Sequence, residues 1–264
     1  VLERVERDGI AIHTDPALLE TSGIGLAFTE RGGGVSQGRF SSLNLAGHVG
    51  DSAGLVDRNR ALLLESIGIA ALANRLTTAE QVHGDRVVEV GRDDAGAGAS
   101  VCGSRPPIPG ADALWTRRRG VPLLLLYADC VPVVLVRPSV PAVAVVHAGW
   151  RGAAAGIVSA AARVLAGLPG DDDLAAFVGP HIGACCYEVG PEHVARFNPS
   201  FVTSVEDSHW LDLGESVAAD LERSGVPKLR WRDLGTCTAH NTDRFYSYRA
   251  DGQTGRHGAL AVIL

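Results

Sequence analysis

Leu123-Leu124-Leu125-Leu126-Tyr127-Ala128-Asp129-Cys130-Val131-Pro132-Val133-Val134-Leu135-Val136 decides the fold class of this chain. Two apolar runs flank a short polar step, and neither run alternates with polar residues. A half-exposed strand alternates; a continuous run of Leu or β-branched residues marks a strand covered on both faces. Ala142–Val146 repeats the pattern a few residues on. Working outward, strands are predicted at Ile24–Thr29, Arg86–Val90, Leu123–Tyr127, Val133–Val136, Ala142–Val146, Leu174–Val178, Lys228–Trp231 and Ala259–Leu264. Helices are predicted at Leu55–Ile67, Ala153–Leu168, Pro191–Phe197 and Glu215–Ser224, with Pro191 suited to a first helical turn and Gly225 to a C-terminal cap. Irregular alternation of the two element types predicts an α/β protein with mixed sheets. The Gly-, Ala-, Ser- and Pro-rich stretch Gly91–Gly110 is the best candidate for a long loop and, less so, a candidate for a domain boundary.

The composition narrows the function classes. The chain has 264 residues, of which 46% are hydrophobic and 20% charged, enough to build a core and too apolar for disorder. Its length admits one domain or two. A formal net charge of −6 speaks against general nucleic-acid binding, which rests on neutralising phosphates. The run Val121–Val136 holds Tyr127, Asp129 and two prolines and is too short to span a membrane, and Val1–Asp8 is charged rather than an apolar signal core. Five cysteines, an odd number in a chain too long to need disulfide staples, read as reduced thiols of a cytoplasmic protein. With no methionine, a copper site with a Met axial ligand is excluded.

Polar residues of ligand type end or interrupt the apolar runs in three places: Glu80-Gln81-Val82-His83-Gly84, Ala128-Asp129-Cys130 and His147-Ala148-Gly149-Trp150-Arg151-Gly152. Strand ends are where α/β proteins build sites, because a rigid sheet holds the loops. The 17 residues from Cys130 to His147 let a strand run out and return beside its neighbour. One thiolate and two imidazoles form a three-ligand zinc set with an open fourth position, the catalytic rather than the structural pattern. Alternatively Cys130 is a nucleophile activated by His147, with Asp129 or a loop residue orienting the imidazole. The plain reading is a small buried cysteine and a satisfied core histidine. Gly149 and Arg151, before an Ala-rich helix, suit either an anion at a helix start or an ordinary tight turn. Arg60 lies among residues of an apolar helix face, so it either points into the protein or is a solvated charge. Cys185 and Cys186 are neighbours, and no Cys-x-x-Cys pair exists, so a zinc ribbon is excluded; with Cys102 and Cys237 they read as packing or loop residues.

Taken together, Ser42-Leu43-Asn44-Leu45, His48-Val49-Gly50-Asp51, Asn59-Arg60, Gln81-Val82-His83-Gly84, Ala111-Asp112-Ala113, Ala128-Asp129-Cys130-Val131-Pro132, His147-Ala148-Gly149-Trp150-Arg151-Gly152, Gly179-Pro180 with Cys186-Tyr187-Glu188-Val189-Gly190 and Phe245-Tyr246-Ser247-Tyr248-Arg249 with Thr254-Gly255-Arg256 resemble, in order, the laccase-domain family. Its members were first called polyphenol or multicopper oxidases and later zinc-binding purine nucleoside phosphorylases. The resemblance runs from about Thr29 to Leu264 and implies one domain over residues 1–264. That fold is a four-layer α/β/β/α arrangement with mixed sheets, similar to the catalytic domains of cytotoxic necrotizing factors. Arg249 is followed by Ala250 where relatives often carry a second arginine, and Tyr127 stands where threonine is frequent.

The resemblance implies zinc, with copper as the other candidate, on His83, Cys130 and His147. It implies phosphorolysis of adenosine, inosine, guanosine and methylthioadenosine, with adenosine deamination beside it. The substrate is then a small molecule, with no nucleic acid or membrane as partner; the oligomeric state is left open. Catalytic candidates are Cys130, His83, His147, Asn44 and Arg60. Arg60, Arg151 and the helix start at Gly149 are the candidate phosphate holders, and Asn44 bonds ribose or base. A true multicopper oxidase is disfavoured, because no two of the nine histidines stand one residue apart, as a trinuclear copper cluster needs. The third alternative is a metal-free Cys–His hydrolase, including one that edits peptidoglycan precursors.

Overall fold

A computed structural model describes residues 1–264. In chain order the strands are β1 (Glu3–Arg7), β2 (Ile10–Thr14), β3 (Ile24–Thr29), β4 (Thr77–Thr78), β5 (Val87–Glu89), β6 (Ala113–Thr116), β7 (Leu123–Tyr127), β8 (Val131–Arg137), β9 (Ala142–Ala148), β10 (Ala175–Val178), β11 (Glu188–Val189), β12 (Val202–Val205), β13 (Ser208–Leu211), β14 (Trp231–Asp233) and β15 (His257–Ile263). The helices are α1 (Pro16–Ser22), α2 (Ala53–Ser66), α3 (Trp150–Ala155), α4 (Ile157–Ala166), α5 (Pro191–Val194), α6 (Leu213–Arg223) and α7 (Tyr248–Asp251). One sheet has the order β1-β2-β3-β15-β7-β4, a second β14-β10-β8-β9-β6-β5, and a small third β11-β13-β12. Most neighbours are antiparallel; β4 with β7, β5 with β6 and β10 with β14 are parallel.

The unbroken leucines of β7 have a direct cause. Leu123, Leu125 and Tyr127 face the second sheet, where they pack in one cluster with Val134, Val145 and Phe177. Leu124 and Leu126 face the other way, into a cluster with Leu63 and Leu64 of α2. The second sheet is likewise covered on its outer side, Val133, Leu135 and Val146 meeting Val158 and Leu165 of α4 and Leu221 of α6. With both faces buried, alternation would place polar groups in a core. The result is a single-domain α/β fold with mixed sheets. No helix is long and apolar enough to cross a membrane.

Some expectations shift. The helix expected over Ala153–Leu168 begins earlier and is broken at Gly156, whose φ of +80° suits glycine, so α3 and α4 are separate. Lys228–Arg230 forms a 3-10 turn, and the strand follows it at Trp231–Asp233. Pro191–Phe197 shortens to α5. The Gly91–Gly110 loop is not a boundary: Arg60 and Asp57 of α2 fasten it. Arg60 donates to the carbonyls of Gly98 and Ala99, and the Asp57 carboxylate accepts from Ser100, Val101 and Cys102.

His257, at the start of β15, is fully buried against Tyr127 and Phe245, and neither ring nitrogen is hydrogen-bonded. Burial, with the Arg256 charge beside it, presses its pKa from 6.5 down to about 3. Between those values the unfolded chain takes up a proton that the folded protein refuses. Stability from this residue is therefore complete above about pH 6.5 and is lost as the pH falls. Going from pH 7 to pH 5 costs about 2 kcal/mol, at 1.36 kcal/mol per pH unit below 6.5. Urea unfolding at the two pH values should show that loss in the wild type and a much smaller one in His257→Leu; equal losses would refute the assignment.

Candidate active site

The two large sheets exchange the chain at Ala128-Asp129-Cys130, which links β7 of the first to β8 of the second. The hairpin of β8 and β9 pairs Val131 with Ala148 and Pro132 with His147, so Cys130 arrives beside His147. His83 comes from a loop whose Gln81 side-chain amide exchanges two hydrogen bonds with the Leu126 backbone at 2.8 and 2.9 Å. The ligand atoms of His83, Cys130 and His147 lie within 4.8 Å of one another, and the two imidazoles meet edge to face at 4.9 Å.

One carboxylate organises this trio. Asp112, fully buried, accepts from His147 Nδ1 at 2.8 Å and from the backbone N–H groups of Val82, His83 and Gly84 at 3.1, 3.0 and 2.8 Å. Those three bonds hold His83 at a φ of +59°, a left-handed conformation that a non-glycine residue adopts at a cost. Burial raises the Asp112 carboxyl, but the bonds from His147 and Gly84 outweigh it and hold the group below its ordinary value. Asp112 stood in the sequence only as part of Ala111-Asp112-Ala113, with no role attached. Asp129, the residue expected to orient the imidazole, does something else. At a φ of +92° it accepts from Thr238 Oγ1 at 2.6 Å and the Arg249 N–H at 2.7 Å, pinning two loops beside Cys130.

Burial raises the Cys130 thiol, but His147 and His83 beside it overcome that and bring it down to about 6. Burial lowers His147, and Cys130 and Asp112 more than compensate, lifting it to about 9. Metal-free, the pair is therefore thiolate and imidazolium at neutral pH. The trio also fits a metal: one thiolate and two imidazoles are a zinc-type donor set, with Asp112 as the carboxylate that steadies the ligating histidine. Gly149 leaves the space. A Cβ there would lie 3.0 Å from His83 Cδ2, 3.2 Å from Cys130 Sγ and 3.6 Å from His147 Cε1.

Above the trio opens a cleft of about 470 Å³. Its wall carries three arginines laid against aromatic rings: Arg151 on Trp150, Arg249 on Tyr187 and Arg256 on Tyr248. His48 lines it too, lowered by burial first and by Arg256 second.

The structure does not bring Asn44 and Arg60 to this cleft. Asn44 is fully buried; its amide donates to the Ala46 carbonyl and Asp51, and its oxygen accepts from Ala46 and Arg256 N–H groups. Arg60 donates to the carbonyls of Leu45, Gly98 and Ala99, and burial lowers it to about 10. Both residues spend their hydrogen bonds on holding loops. Arg151 does line the cleft. Gly149 lies at its floor, where it acts by lacking a side chain; α3 behind it is only six residues long.

The profile of the multi-copper polyphenol oxidoreductase laccase family matches residues 25–264. The chain belongs to this family. A purine nucleoside phosphorylase of Streptomyces coelicolor is 39% identical over 240 residues, covering 89% of this chain and 93% of that protein. The purine nucleoside phosphorylase YlmD of Geobacillus stearothermophilus is 36% identical over 239 residues, 86% of each. The crystal structure of YlmD superposes with a TM-score of 0.89 at 33% identity, covering all of this chain and 98% of that one. The structure of YfiH from Bacillus licheniformis gives 0.88 at 28% identity over 98% of both chains. These relatives support an enzyme of the nucleoside phosphorylase kind acting on a small molecule. Within the family frame, Arg249 and Arg256 are the wall residues to which no role had been attached. Both stood in the quoted motifs, but their convergence on Cys130 depends on loops far apart in sequence.

Proposed function

We propose that this chain is a zinc-dependent purine nucleoside phosphorylase, with His83, Cys130 and His147 as the metal ligands. The observation that carries the reading is the cleft itself: a thiolate–imidazole floor under arginines stacked on aromatic rings. Such a wall suits an anion beside a flat heterocycle. Arg151, Arg249 and Arg256 offer charge-assisted hydrogen bonds to phosphate, and Trp150, Tyr187 and Tyr248 offer faces to a purine. Phosphate held there attacks C1′ of the ribose as the C1′–N9 bond breaks; the electron pair leaves with the purine, which takes a proton. When bound, zinc supplies Lewis acidity at the open position of a three-ligand set. Asp112 fixes His147 by its Nδ1, leaving Nε2 as the ligand atom. Adenosine, inosine, guanosine and methylthioadenosine share the purine and ribose this cleft suits, and deamination of adenosine is a second use of the same pocket. The unpaired thiols fit a cytoplasmic enzyme.

A second reading rests on the Cys130–His147 ion pair oriented by Asp112, the arrangement of a cysteine hydrolase. The sequence of covering helices and stacked sheets supports a four-layer arrangement, and through it the kinship with cytotoxic necrotizing factors. Copper oxidation has less support, given the missing His-x-His pair. The deciding experiment incubates zinc-loaded protein with each nucleoside, with and without phosphate, and follows free base and ribose 1-phosphate. Base release that requires phosphate and is stopped by a chelator is expected. No base from any of the four nucleosides would sink the proposal, and chelator-resistant, iodoacetamide-sensitive hydrolysis would install the second reading.

A further inference from the structure

Thirty-eight residues or more along the chain from any of the three floor ligands, a second group of metal-type donors converges. Cys185 and Cys186 lie in the turn that follows Gly183, and Cys237 and His240 lie in the segment before Asn241. Their four donor atoms lie within 4.8 Å of one another, with Cys185 Sγ 3.7 Å from His240 Nδ1. A tetrahedral zinc site with bonds of about 2.3 Å to sulfur and about 2.05 Å to nitrogen places neighbouring S and N atoms about 3.6 Å apart. The observed spacing matches.

The backbone builds the site before any ion arrives. The His181 N–H donates to the Thr236 carbonyl at 3.2 Å, and Thr238 N–H returns a bond to His181 at 2.9 Å, locking the two segments side by side. Cys186 and Tyr187 N–H groups close the turn on the Gly183 carbonyl. The Gly183 N–H donates to Cys237 Sγ at 3.2 Å. Cys237 and His240 frame a knuckle, a Cys-x-x-His turn. Gly183 has no Cβ, which would sit 3.2 Å from Cys185 Sγ and 3.6 Å from Cys237 Sγ. None of the four is in a disulfide.

We infer that Cys185, Cys186, Cys237 and His240 form a second, structural zinc site that staples the Cys185–Cys186 turn to the Cys237–His240 knuckle. Three thiolates and one imidazole are a closed donor set, with no position left for substrate, and soft sulfur ligands select zinc over magnesium or calcium. The staple stiffens one wall of the cleft. Ile182 N–H donates to the Asp129 carbonyl, Thr238 to the Asp129 carboxylate and Arg249 to the Cys186 carbonyl.

The inference stands apart from the proposed activity, and metal counting separates the two. Full-length protein, purified under reducing conditions without chelator, should carry two zinc ions per chain by elemental analysis. Cys185→Ser with Cys237→Ser should carry one, as should Cys130→Ala. One ion in the wild type, lost with the Cys185/Cys237 pair and kept in Cys130→Ala, supports the staple and removes the first site. One ion that the Cys185/Cys237 variant retains overturns the staple, as does a disulfide among these cysteines in metal-free protein from reducing buffer. Should that variant fail to fold, cobalt substitution of the wild type decides. One cobalt equivalent should show roughly threefold the thiolate charge-transfer absorption of the other, three sulfur ligands against one. Equal single-thiolate intensity for both overturns the proposal.

Discussion

Cys130→Ala should lower phosphorolysis of inosine by at least about 10³-fold while leaving the fold in place. The side chain is small, and the β8–β9 pairing that carries it is independent of its sulfur. What disappears is the only thiolate of the trio. Two imidazoles alone hold zinc weakly, so the active-site zinc, one equivalent per chain, should be lost together with activity. Removing several kcal/mol of Lewis-acid stabilisation corresponds to a thousandfold or more, at 1.36 kcal/mol per factor of ten. The measurement is kcat/KM beside zinc content and the circular dichroism spectrum. Full activity with metal lost would break the link between metal and reaction. Full activity with metal kept would remove Cys130 from the ligand set. Cys130→Ser sharpens the result: a hydroxyl is a poor zinc ligand, so partial rescue by added zinc is expected for a ligand and not for a sulfur nucleophile.

How much of this was legible depends on which physical signal each residue carries. The Leu123–Tyr127 and Val131–Val136 runs announced themselves because burial on both faces removes polar residues from a strand. β1, Glu-Arg-Val-Glu-Arg, was missed for the opposite reason: it is an exposed edge, where charge guards against pairing with another chain. The β12–β13 hairpin was missed because its turn runs through Glu206 at a φ of +53° rather than through Asn-Gly. Cys130 and His147 were legible as neighbours because one hairpin carries both. Asn44 and Arg60 were misplaced because a motif shows that a polar residue matters and not whether it faces substrate or backbone carbonyls. The second donor group was invisible for a plainer reason. Its two halves lie more than fifty residues apart, and a test for Cys-x-x-Cys pairs passes over the Cys-x-x-His spacing of Cys237 and His240.

Asp112→Ala should be nearly as damaging as the loss of Cys130, through a residue that touches no substrate. Four donors converge on this carboxylate: His147 Nδ1 and three consecutive N–H groups around His83. Removing it strands them in a buried site, at about 1–3 kcal/mol for each donor that finds no water. It also frees the loop that keeps His83 at a positive φ and the ring that presents His147 Nε2. Two ligands of three lose their orientation at once. Loss of a carboxylate behind a ligating histidine typically weakens metal binding 10- to 100-fold, and with the His83 loop released the upper end is expected here. Zinc titration against a competing chelator should report that factor, and thermal unfolding a lower Tm in the metal-free protein. Asp112→Asn separates the two effects. Its amide oxygen still accepts from part of the loop, while its NH2 faces a donor, so stability should recover more than zinc affinity. Equal recovery of both would mean that Asp112 acts by filling space, and an unchanged affinity in either variant would mean that His147 needs no partner to hold its ring.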